Sequence, residues 1–329
     1  MERNFKTILI VVNLIFVFSI ISIPTIVIFA EFAGYNKINK SFTYEYISDT
    51  PPLQSGLNVY SDVGIIDIKY VTEPVEYIIK IELSIEMAGP NLNGKSYIDF
   101  FNISWENVSS PVNFTLDLIS DRILDFSNLH IAAININILL RADILFDINV
   151  TVLNGNIKVT VPMGISVNNL YSNVNNGNIL YDFNNNIVEG NITGIMNNGN
   201  LTLEAKNIHY TQNSELFFVN NRGYSLIDIH QYDEMGANIT GTAKTKSGTI
   251  QVVYMDFSAS IGAQFILYNK TNFGNEVENK VEGFTKDYLP FLAGQIFTSD
   301  DFPAQNYYNF SLFKLDEGDY IWDLYSIPN

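Results

Sequence analysis

The sequence predicts an all-β fold: a β-solenoid, or short parallel β-helix, preceded by one N-terminal transmembrane helix. The composition is the first reason, because 23 Phe and 19 Tyr accompany many Ile and Asn residues. These residue types favour strands and the turns between them. The second reason is a repeat, since the triplet Asn-Gly-Asn is centred on Gly155, Gly177 and Gly199, at intervals of 22 residues.

Strands are predicted directly after these glycines. The second, fourth and sixth residues after Gly155 are Ile157, Val159 and Val161. This period-two alternation is typical of a strand with one buried face. Similar alternation follows each glycine of a larger set: Gly64, Gly155, Gly177, Gly199, Gly223, Gly248 and Gly318. The four intervals between 155 and 248 are 22, 22, 24 and 25 residues, which sets the predicted coil length at 22–25 residues.

Two architectures fit an Asn-Gly turn between apolar strands. The first is an antiparallel meander, because Asn-Gly is a strong hairpin signal. The second is a solenoid, and the near-constant period favours it because a hairpin needs no fixed spacing. If each period forms one coil, Ile157, Ile179 and Leu201 stack in one buried column. The turn asparagines then form an amide ladder, and glycine supplies the positive φ at the corner.

Five segments carry a family resemblance: "SDVGIIDIKY", "NGNIKV", "NGNIL", "NGNLTL" and "ITGTAKTKSGTIQVV". They resemble the strand-turn repeats of the putative-adhesin families of bacteria and archaea. The resemblance covers Leu57–Tyr325 and is most specific over Asn149–Tyr254, but it is lost between Val71 and Asn149, where no glycine turn keeps the period. It implies a short β-helix at the cell surface, and it offers no catalytic residues to carry over.

The amino terminus predicts a membrane anchor. No residue from Thr7 to Ala30 is charged, and a segment of this length can span a bilayer. Arg3 and Lys6 precede it, which favours a cytoplasmic amino terminus and an extracytoplasmic body. The alternative is a signal peptide, whose apolar core is normally shorter. The predicted location is therefore the cell membrane with a single pass, or secretion if the segment is cleaved.

Five segments are predicted along the chain. They are an anchor or signal peptide at 1–30, a membrane-proximal linker at 31–52, an N-terminal β region and cap at 53–150, the regular solenoid repeats at 151–256, and irregular coils with a cap at 257–329.

Asn-X-Ser/Thr sequons support export, because none of them precedes the apolar segment. They are possible N-glycosylation sites on the outer face of the membrane. The alternative is that Asn-rich turns simply adjoin Thr-rich strands. The sequons are Asn39, Asn102, Asn107, Asn113, Asn149, Asn191, Asn200, Asn238, Asn269 and Asn309.

Charge and cysteine content exclude several classes of function. The net charge is −17, so a nucleic acid backbone would be repelled. The absence of cysteine excludes disulfides, Cys-type zinc sites and thiol catalysis. No cofactor is expected. His130, His209 and His230 fall at different repeat positions, so shared metal ligation is not expected either.

Three carboxylates occupy the fifth position after successive glycines: Asp182, Glu204 and Asp228. They are predicted to stack on one face. The first interpretation is a solvated or partner-facing surface, the second is a weak Ca²⁺ site, and the third is a catalytic pair acting on a glycosidic bond. A second outward group is apolar and indicates either an interface or a covered surface. It consists of Leu180, Tyr224, Leu226, Ile321 and Tyr325.

The sequence therefore predicts a non-enzymatic protein for adhesion, binding or scaffolding at the cell surface. Its expected partners are the membrane, through the N-terminal segment, and a cell-surface protein or glycan. One alternative is a polysaccharide-acting β-helix enzyme that uses the Asp182, Glu204 and Asp228 column. Another is an envelope-stress sensor, which would need a membrane partner because the cytoplasmic tail is short.

Overall fold

The computed structural model describes residues 35–90, 92–109, 112–120, 131–258, 261–269, 276–289, 294–303, 305–316 and 319–326. Within these ranges the chain is all-β, and a 3-10 turn at Tyr97–Asp99 is the sole helical element. The first ten strands are β1 (Tyr35–Ile47), β2 (Gln54–Val71), β3 (Tyr77–Pro90), β4 (Phe101–Ser109), β5 (Val112–Ser120), β6 (Ile131–Arg141), β7 (Leu145–Val161), β8 (Ser166–Val167), β9 (Leu170–Asn184) and β10 (Ile187–Val188). The second ten are β11 (Ile192–Lys206), β12 (His209–Tyr210), β13 (Ser214–Gln231), β14 (Ile239–Asp256), β15 (Ile261–Asn269), β16 (Glu276–Glu282), β17 (Phe284–Leu289), β18 (Gly294–Ser299), β19 (Asn306–Lys314) and β20 (Tyr320–Ser326).

The predicted parallel β-solenoid is wrong. In the described residues, 17 strands form one large mixed sheet, and β8, β10 and β12 form a separate parallel sheet. The large sheet contains antiparallel pairs, because β18 runs antiparallel to both β15 and β17. Strands that are distant in the chain also enter it, since β2 pairs with β5, β6 and β7, and β14 pairs with β19 and β20.

The physical reason lies partly at the glycines. Gly155 lies inside β7 and Gly177 lies inside β9, with strand pairing continuing on both sides of each. The glycine turn therefore does not end a strand, and each repeat contributes one strand of 15 to 18 residues in β9, β11, β13 and β14. The hairpin alternative also fails at these glycines, because the neighbouring strands run parallel.

Register is set by the repeat from β2 to β14. Gly64 pairs with Gly155, and the chain of partners continues through Gly177, Gly199, Gly223 and Gly248. Gly318 lies outside the described residues. A Cβ on Gly177 would lie 1.6 Å from the carbonyl oxygen of Gly155, and Gly177 has a φ of +146°. Backbone contact across the strands thus excludes any side chain at this position.

The predicted buried column is confirmed. Ile179 pairs with Ile157 on one side and Leu201 on the other, and these three side chains are exposed by 1%, 1% and 0%. Burying a side chain of this type stabilises the fold by about 1.5–3 kcal/mol. The aliphatic core of this region therefore follows the period-two pattern of the sequence.

Amide ladders, also predicted, run along the outside of the same strands. Asn176 Nδ2 donates to Asn154 Oδ1 at 2.9 Å, and Asn198 Nδ2 donates to Asn176 Oδ1 at 2.9 Å. Two further amide contacts run beside this ladder: Asn178 Nδ2 donates to Asn156 Oδ1, and Asn197 Nδ2 donates to Asn175 Oδ1, each at 2.9 Å. Each ladder links strands that the backbone already pairs.

Two compact units divide the chain. The first comprises the described residues within 1–41, 84–101 and 121–133, and the second comprises those within 42–83, 102–120 and 134–329. In the first unit, the backbone N–H of Ser96 donates to Asp99 Oδ2 at 2.7 Å and so caps the 3-10 turn. The second unit holds the in-register strands and the site described below. The segment boundaries predicted from the sequence stay predictions.

No helix within the described ranges has the length and apolar character of a membrane span. The apolar segment Thr7–Ala30 lies outside those ranges. Its role as an anchor or signal peptide stays a prediction.

Candidate functional site

A groove opens on the outer side of the sheet at Gly56 of β2. Gly56 pairs with Asn113 of β5 on one side and with Asp147 of β7 on the other. Its neighbours Ser55 and Leu57 are buried, so position 56 faces outward, where it contributes no side chain. A Cβ at this position would lie 2.6 Å from Asn113 Oδ1. The amide of Asn113 therefore leans over the glycine, and the backbone of β2 lies at the bottom of a furrow between Asn113 and Asp147.

The groove has a volume of about 730 Å³. This volume lies within the range of 300–1,000 Å³ that is common for ligand pockets. The residues that line it come from β2, β5, β7 and β9 or directly precede β9: Gln54, Ser55, Gly56, Leu57, Asn58, Val112, Asn113, Asp147, Ile148, Asn149, Asn169 and Tyr171.

Asp147 is held by three amide groups. Gln54 Nε2 donates to its Oδ2 at 2.8 Å, and Asn168 Nδ2 and Asn169 Nδ2 each donate to its Oδ1 at 2.9 Å. A carboxylate offers about four lone-pair sites. Three are engaged, so the side chain is fixed in orientation and keeps limited capacity for one further donor.

A second set of amides forms a directed relay. Asn149 Nδ2 donates to Asn58 Oδ1 at 3.3 Å, and Asn58 Nδ2 donates to Asn113 Oδ1 at 3.1 Å. Each Asn side chain has two N–H donors and one carbonyl acceptor. The relay therefore leaves the NH₂ group of Asn113 and the carbonyl of Asn149 with hydrogen-bonding capacity at the two ends.

Tyr171 supplies an aromatic ring at the far side of the groove. It is the register partner of Asn149 on the next strand, and it is half-buried. Among the described lining residues, Asp147 is the one charged side chain. The groove thus combines neutral amides, a single carboxylate and one aromatic ring.

The predicted carboxylate column is assembled elsewhere on the sheet. Glu204 pairs in register with Asp182 on one side and Asp228 on the other, and all three are half-buried. Asp228 Oδ1 lies 2.8 Å from His230 Nε2. Within the described residues no cluster of three or more His, Asp or Glu side chains is arranged to hold a metal ion. The Ca²⁺ and catalytic interpretations stay predictions.

The histidines and the outward apolar residues occupy scattered positions. His230 pairs in register with Lys206, and His209 pairs with Ile187 in the small sheet, whereas His130 lies outside the described residues. The apolar positions are half-buried: Leu180, Tyr224, Leu226, Ile321 and Tyr325. The Tyr224 hydroxyl hydrogen-bonds to Gln251 Oε1, so this surface is partly closed by its own side chains.

Most sequons lie on accessible backbone. The exposed members are Asn39, Asn102, Asn107, Asn149, Asn191 and Asn200, and the half-buried members are Asn113, Asn238 and Asn309. Asn269 ends β15, and its side chain is outside the described set. Glycosylation of these residues stays a prediction. Asn113 and Asn149 were identified from the sequence as sequons alone, and their part in the groove was missed.

The one local signal for the groove is Gly56, which interrupts the outward polar positions of "QSGLNVY". A glycine in a strand often marks a close backbone or ligand approach. Its two neighbours could not be found from the sequence, because Asn113 and Asp147 reach it through pairings between strands that are distant in the chain.

No known protein family and no curated protein sequence matches the chain. It is similar to the solved structure of a putative cell adhesion protein from Clostridium sporogenes, with 12% identity, a TM-score of 0.37, and coverage of 86% of this chain and 99% of that chain. A putative adhesin from Bacteroides fragilis shares 12% identity at a TM-score of 0.38, with coverage of 87% and 97%. A putative adhesin from Parabacteroides merdae shares 10% identity at a TM-score of 0.27, with coverage of 87% and 96%.

These three descriptions agree with the family that the repeats resemble. Every TM-score is below 0.5 and every identity is 12% or less, so the function proposed below rests on the groove of this chain.

Proposed function

We propose that this chain is a non-enzymatic binding or adhesion protein of the cell surface, and that it captures its partner in the groove around Gly56. The observation that carries the proposal is the groove itself. It is an outward-facing depression whose polar side chains are oriented by hydrogen bonds to one another. Groups positioned in this way lose little further freedom when a ligand binds, which favours affinity.

The chemistry of the groove suits recognition. Asp147, with three amide donors already bound, acts as a fixed acceptor. The amides of Asn58, Asn113 and Asn149 add neutral donors and acceptors, which fix the orientation of a ligand and provide specificity. The floor is formed by the backbone of β2, which is paired on both sides at Gly56 and so supports these groups on a regular strand.

The surface location is the second part of the proposal. The uncharged segment 7–30 attaches the chain to the membrane, and the basic residues before it keep the amino terminus in the cytoplasm. The body then lies outside, where exposed sequons that do not line the groove, such as Asn107 and Asn200, are accessible to glycosylation. In this arrangement the groove faces the environment of the cell, where an adhesion partner is found.

Two measurements on intact cells test the proposal. A membrane-impermeant protease added to intact cells or spheroplasts should digest the body, and full protection of the body would contradict the surface location. Material captured from solubilised membranes by the full chain, read out for glycan and protein, should be lost when Gly56 is replaced by Leu. Capture that is the same for both chains would contradict the role of the groove.

A further inference from the structure

We infer that the groove around Gly56 binds a neutral oligosaccharide. This inference rests on the proposed function, because it names the chemical class of the partner that the same groove takes. It depends on three features: the hydrogen-bonding groups left over after the internal contacts are counted, the aromatic ring, and the charge of the lining.

The unused hydrogen-bonding groups match hydroxyl groups. A sugar hydroxyl both donates and accepts, as a serine hydroxyl does. No described residue accepts from the NH₂ group of Asn113 or donates to the Asn149 carbonyl, and Asp147 retains a lone pair. Adjacent hydroxyls on one sugar ring present donors and acceptors side by side, so one ring can satisfy both kinds of group at once.

Tyr171 provides the apolar contact that a sugar ring requires. One face of a pyranose carries mainly C–H groups, and the flat, apolar body of a tyrosine buries such a surface while its hydroxyl stays hydrogen-bonded. Tyr171 stands beside Asn149 in register, so a ring stacked on it also lies against the relay. An aromatic residue with a few oriented polar groups is the usual composition of a small-molecule site.

The charges of the groove lining and of the whole chain favour a neutral ligand. The described lining carries one negative side chain, Asp147, and neither Lys nor Arg. The whole chain has a net charge of −17, so an anionic polysaccharide or a phosphate ester is repelled on approach. A cationic ligand would find a single carboxylate whose lone pairs are mostly engaged by Gln54, Asn168 and Asn169.

The dimensions suit a single sugar chain. Two strand spacings separate β5 from β7 across β2, which is about 9.6 Å. Because the Asn113 amide leans over Gly56, a sugar ring would lie against that amide, on the side that faces Asp147. The volume of about 730 Å³ extends beyond one ring along the strands, so a short oligosaccharide is the expected ligand.

Titration calorimetry on the full chain tests the inference. The protein is produced in cells without N-glycosylation, so that Asn113 and Asn149 are unmodified, and it is inserted into phosphatidylcholine nanodiscs, which carry no sugar. The probes are chitotriose, maltotriose, cellotriose and mannotriose, with a heparin-derived tetrasaccharide as the anionic control. At least one neutral probe should bind, and the heparin fragment should not.

Two variants and one control locate the binding. Gly56→Leu places a side chain where the Asn113 amide lies and so displaces that amide, and because Gly56 does not have a left-handed φ, the substitution adds no backbone strain at residue 56. Tyr171→Ala removes the ring. Phe217→Ala is the control, because Phe217 occupies the same row two strands away, through Thr193, and does not line the groove. We expect Gly56→Leu to weaken binding by about tenfold or more, and Phe217→Ala to leave it within about twofold.

The outcomes separate the two proposals. The inference is overturned if no neutral probe binds the wild-type chain, or if Gly56→Leu and Tyr171→Ala both retain wild-type affinity. If Gly56→Leu lowers the melting temperature strongly, Tyr171→Ala and Asn113→Ala decide the question, because they change outward side chains alone. A wild-type chain that captures a protein but no neutral probe refutes the oligosaccharide and leaves the proposed function standing. A body that is protected inside the cell refutes the proposed function instead.

Discussion

Two regions of the large sheet are stabilised by different means. The repeat region, β7, β9 and β11, stacks glycine on glycine at the centre of each strand, with amide ladders and an aliphatic column beside it. The aromatic region, β14 to β20, interlocks large rings instead. Phe297 and Trp322 have ring centroids 4.7 Å apart, and Phe265 lies 5.5 Å from Tyr254 and 5.8 Å from Phe310.

The two regions determine which strands pair, and in which register, by different means. In the repeat region the backbones approach so closely at the glycines that the register is fixed before side chains are considered. In the aromatic region strands pair both parallel and antiparallel, and the shapes of the rings determine which arrangement packs. The repeat region should therefore be most sensitive to a single added methyl group, and the aromatic region to a lost ring.

The largest effect is expected for Gly177→Ala. The added Cβ would lie 1.6 Å from the carbonyl oxygen of Gly155, and the φ of +146° is unfavourable for alanine. Backbone atoms on both strands would have to separate, so we expect a loss of more than about 4 kcal/mol in the free energy of unfolding. Urea denaturation followed by circular dichroism measures it.

Gly164→Ala is the matched control. Gly164 has a φ of +78°, but a Cβ there meets no atom within 4 Å. It should cost about 1–2 kcal/mol, which is the conformational strain alone. Equal losses at 164 and 177 would show that backbone conformation, and not contact between the strands, makes glycine necessary.

The next largest effect is expected for Ile179→Asp. Ile179 is 1% exposed between Ile157 and Leu201, so the substitution buries an unpaired charge and should cost several kcal/mol, about 3–5. Leu180→Asp, one residue along, places the charge on the half-buried outer side and should cost about 1 kcal/mol. Thermal melts of the two variants compare them directly, and similar melting temperatures would be inconsistent with the assigned faces of β9.

In the aromatic region we expect Trp322→Ala to cost about 3–5 kcal/mol. Trp322 is fully buried and contacts the rings of Phe297, Phe265 and Tyr320. Its indole N–H is buried without a hydrogen-bond partner among the described residues. Trp322→Phe keeps a ring and removes that unpaired donor, so it should cost much less than Trp322→Ala. Chemical denaturation of both variants measures the difference, and equal costs would show that ring stacking does not stabilise this region.

A smaller and pH-dependent effect is expected for Asp256→Asn at the end of β14. Burial raises the pKa of Asp256, and the negative charge of Asp301 raises it further, while hydrogen bonds from Ser258 oppose the rise. A folded-state pKa above the unfolded value of about 3.9 means that the folded chain holds the proton more tightly. The stability from this group is therefore complete below the unfolded pKa and is lost as the pH rises through the folded pKa.

Asp256→Asn should remove this loss of folding stability at higher pH, because the amide does not ionise. The variant should be more stable than the wild type at neutral pH, and the difference should shrink as the pH falls towards the unfolded pKa of Asp. Asp300→Asn, which removes an exposed carboxylate nearby in the chain, is the control for loss of one negative charge. Melting temperatures measured from acidic to neutral pH provide the test, and parallel curves for wild type and Asp256→Asn would rule out the assigned titration.

The sequence contained the repeat register but not the strands that complete the sheet. The 22-residue spacing of Gly155, Gly177 and Gly199 predicted which residues meet, because equal spacing brings equal positions together when strands run parallel. The pairing of Gly64 with Gly155 could not be predicted, because four strands lie between β2 and β7 in the chain. The mixed sheet follows from such long-range pairings, which leave no period in the local sequence.

The same reason explains why the sequence predicted the carboxylate column and not the groove. Asp182, Glu204 and Asp228 were predicted together because they share a position in successive repeats. The groove joins Gly56, Asn113 and Asp147, which share no repeat and meet through pairings made across distant parts of the chain. Sequence periodicity locates columns within a repeat, whereas a site built between a repeat and an inserted strand requires the structure.

The smallest effect is expected at the carboxylate column of the repeat region. Adjacent strands place Asp182 beside Glu204 at about one strand spacing, 4.8 Å, where two charges in water repel by somewhat less than 1 kcal/mol before screening. Thr160 and Val253 flank the column and offer one hydroxyl, whereas Ca²⁺ takes six to eight oxygens. Millimolar Ca²⁺ should therefore shift the melting temperature little.

Removing the charges should stabilise the sheet slightly. The double variant Asp182→Asn and Glu204→Gln relieves both adjacent repulsive pairs, because Glu204 lies between Asp182 and Asp228, and should gain a few tenths of a kcal/mol per pair. Adding Asp228→Asn should bring no further gain, because Asp228 then has no charged neighbour in the column and its contact with His230 at 2.8 Å is weakened. Calorimetric melts with and without Ca²⁺ measure the stability change caused by the substitutions and the shift caused by Ca²⁺. A large Ca²⁺-dependent rise in the wild-type melting temperature that disappears in the triple variant would contradict a solvated surface and make the column a cation site.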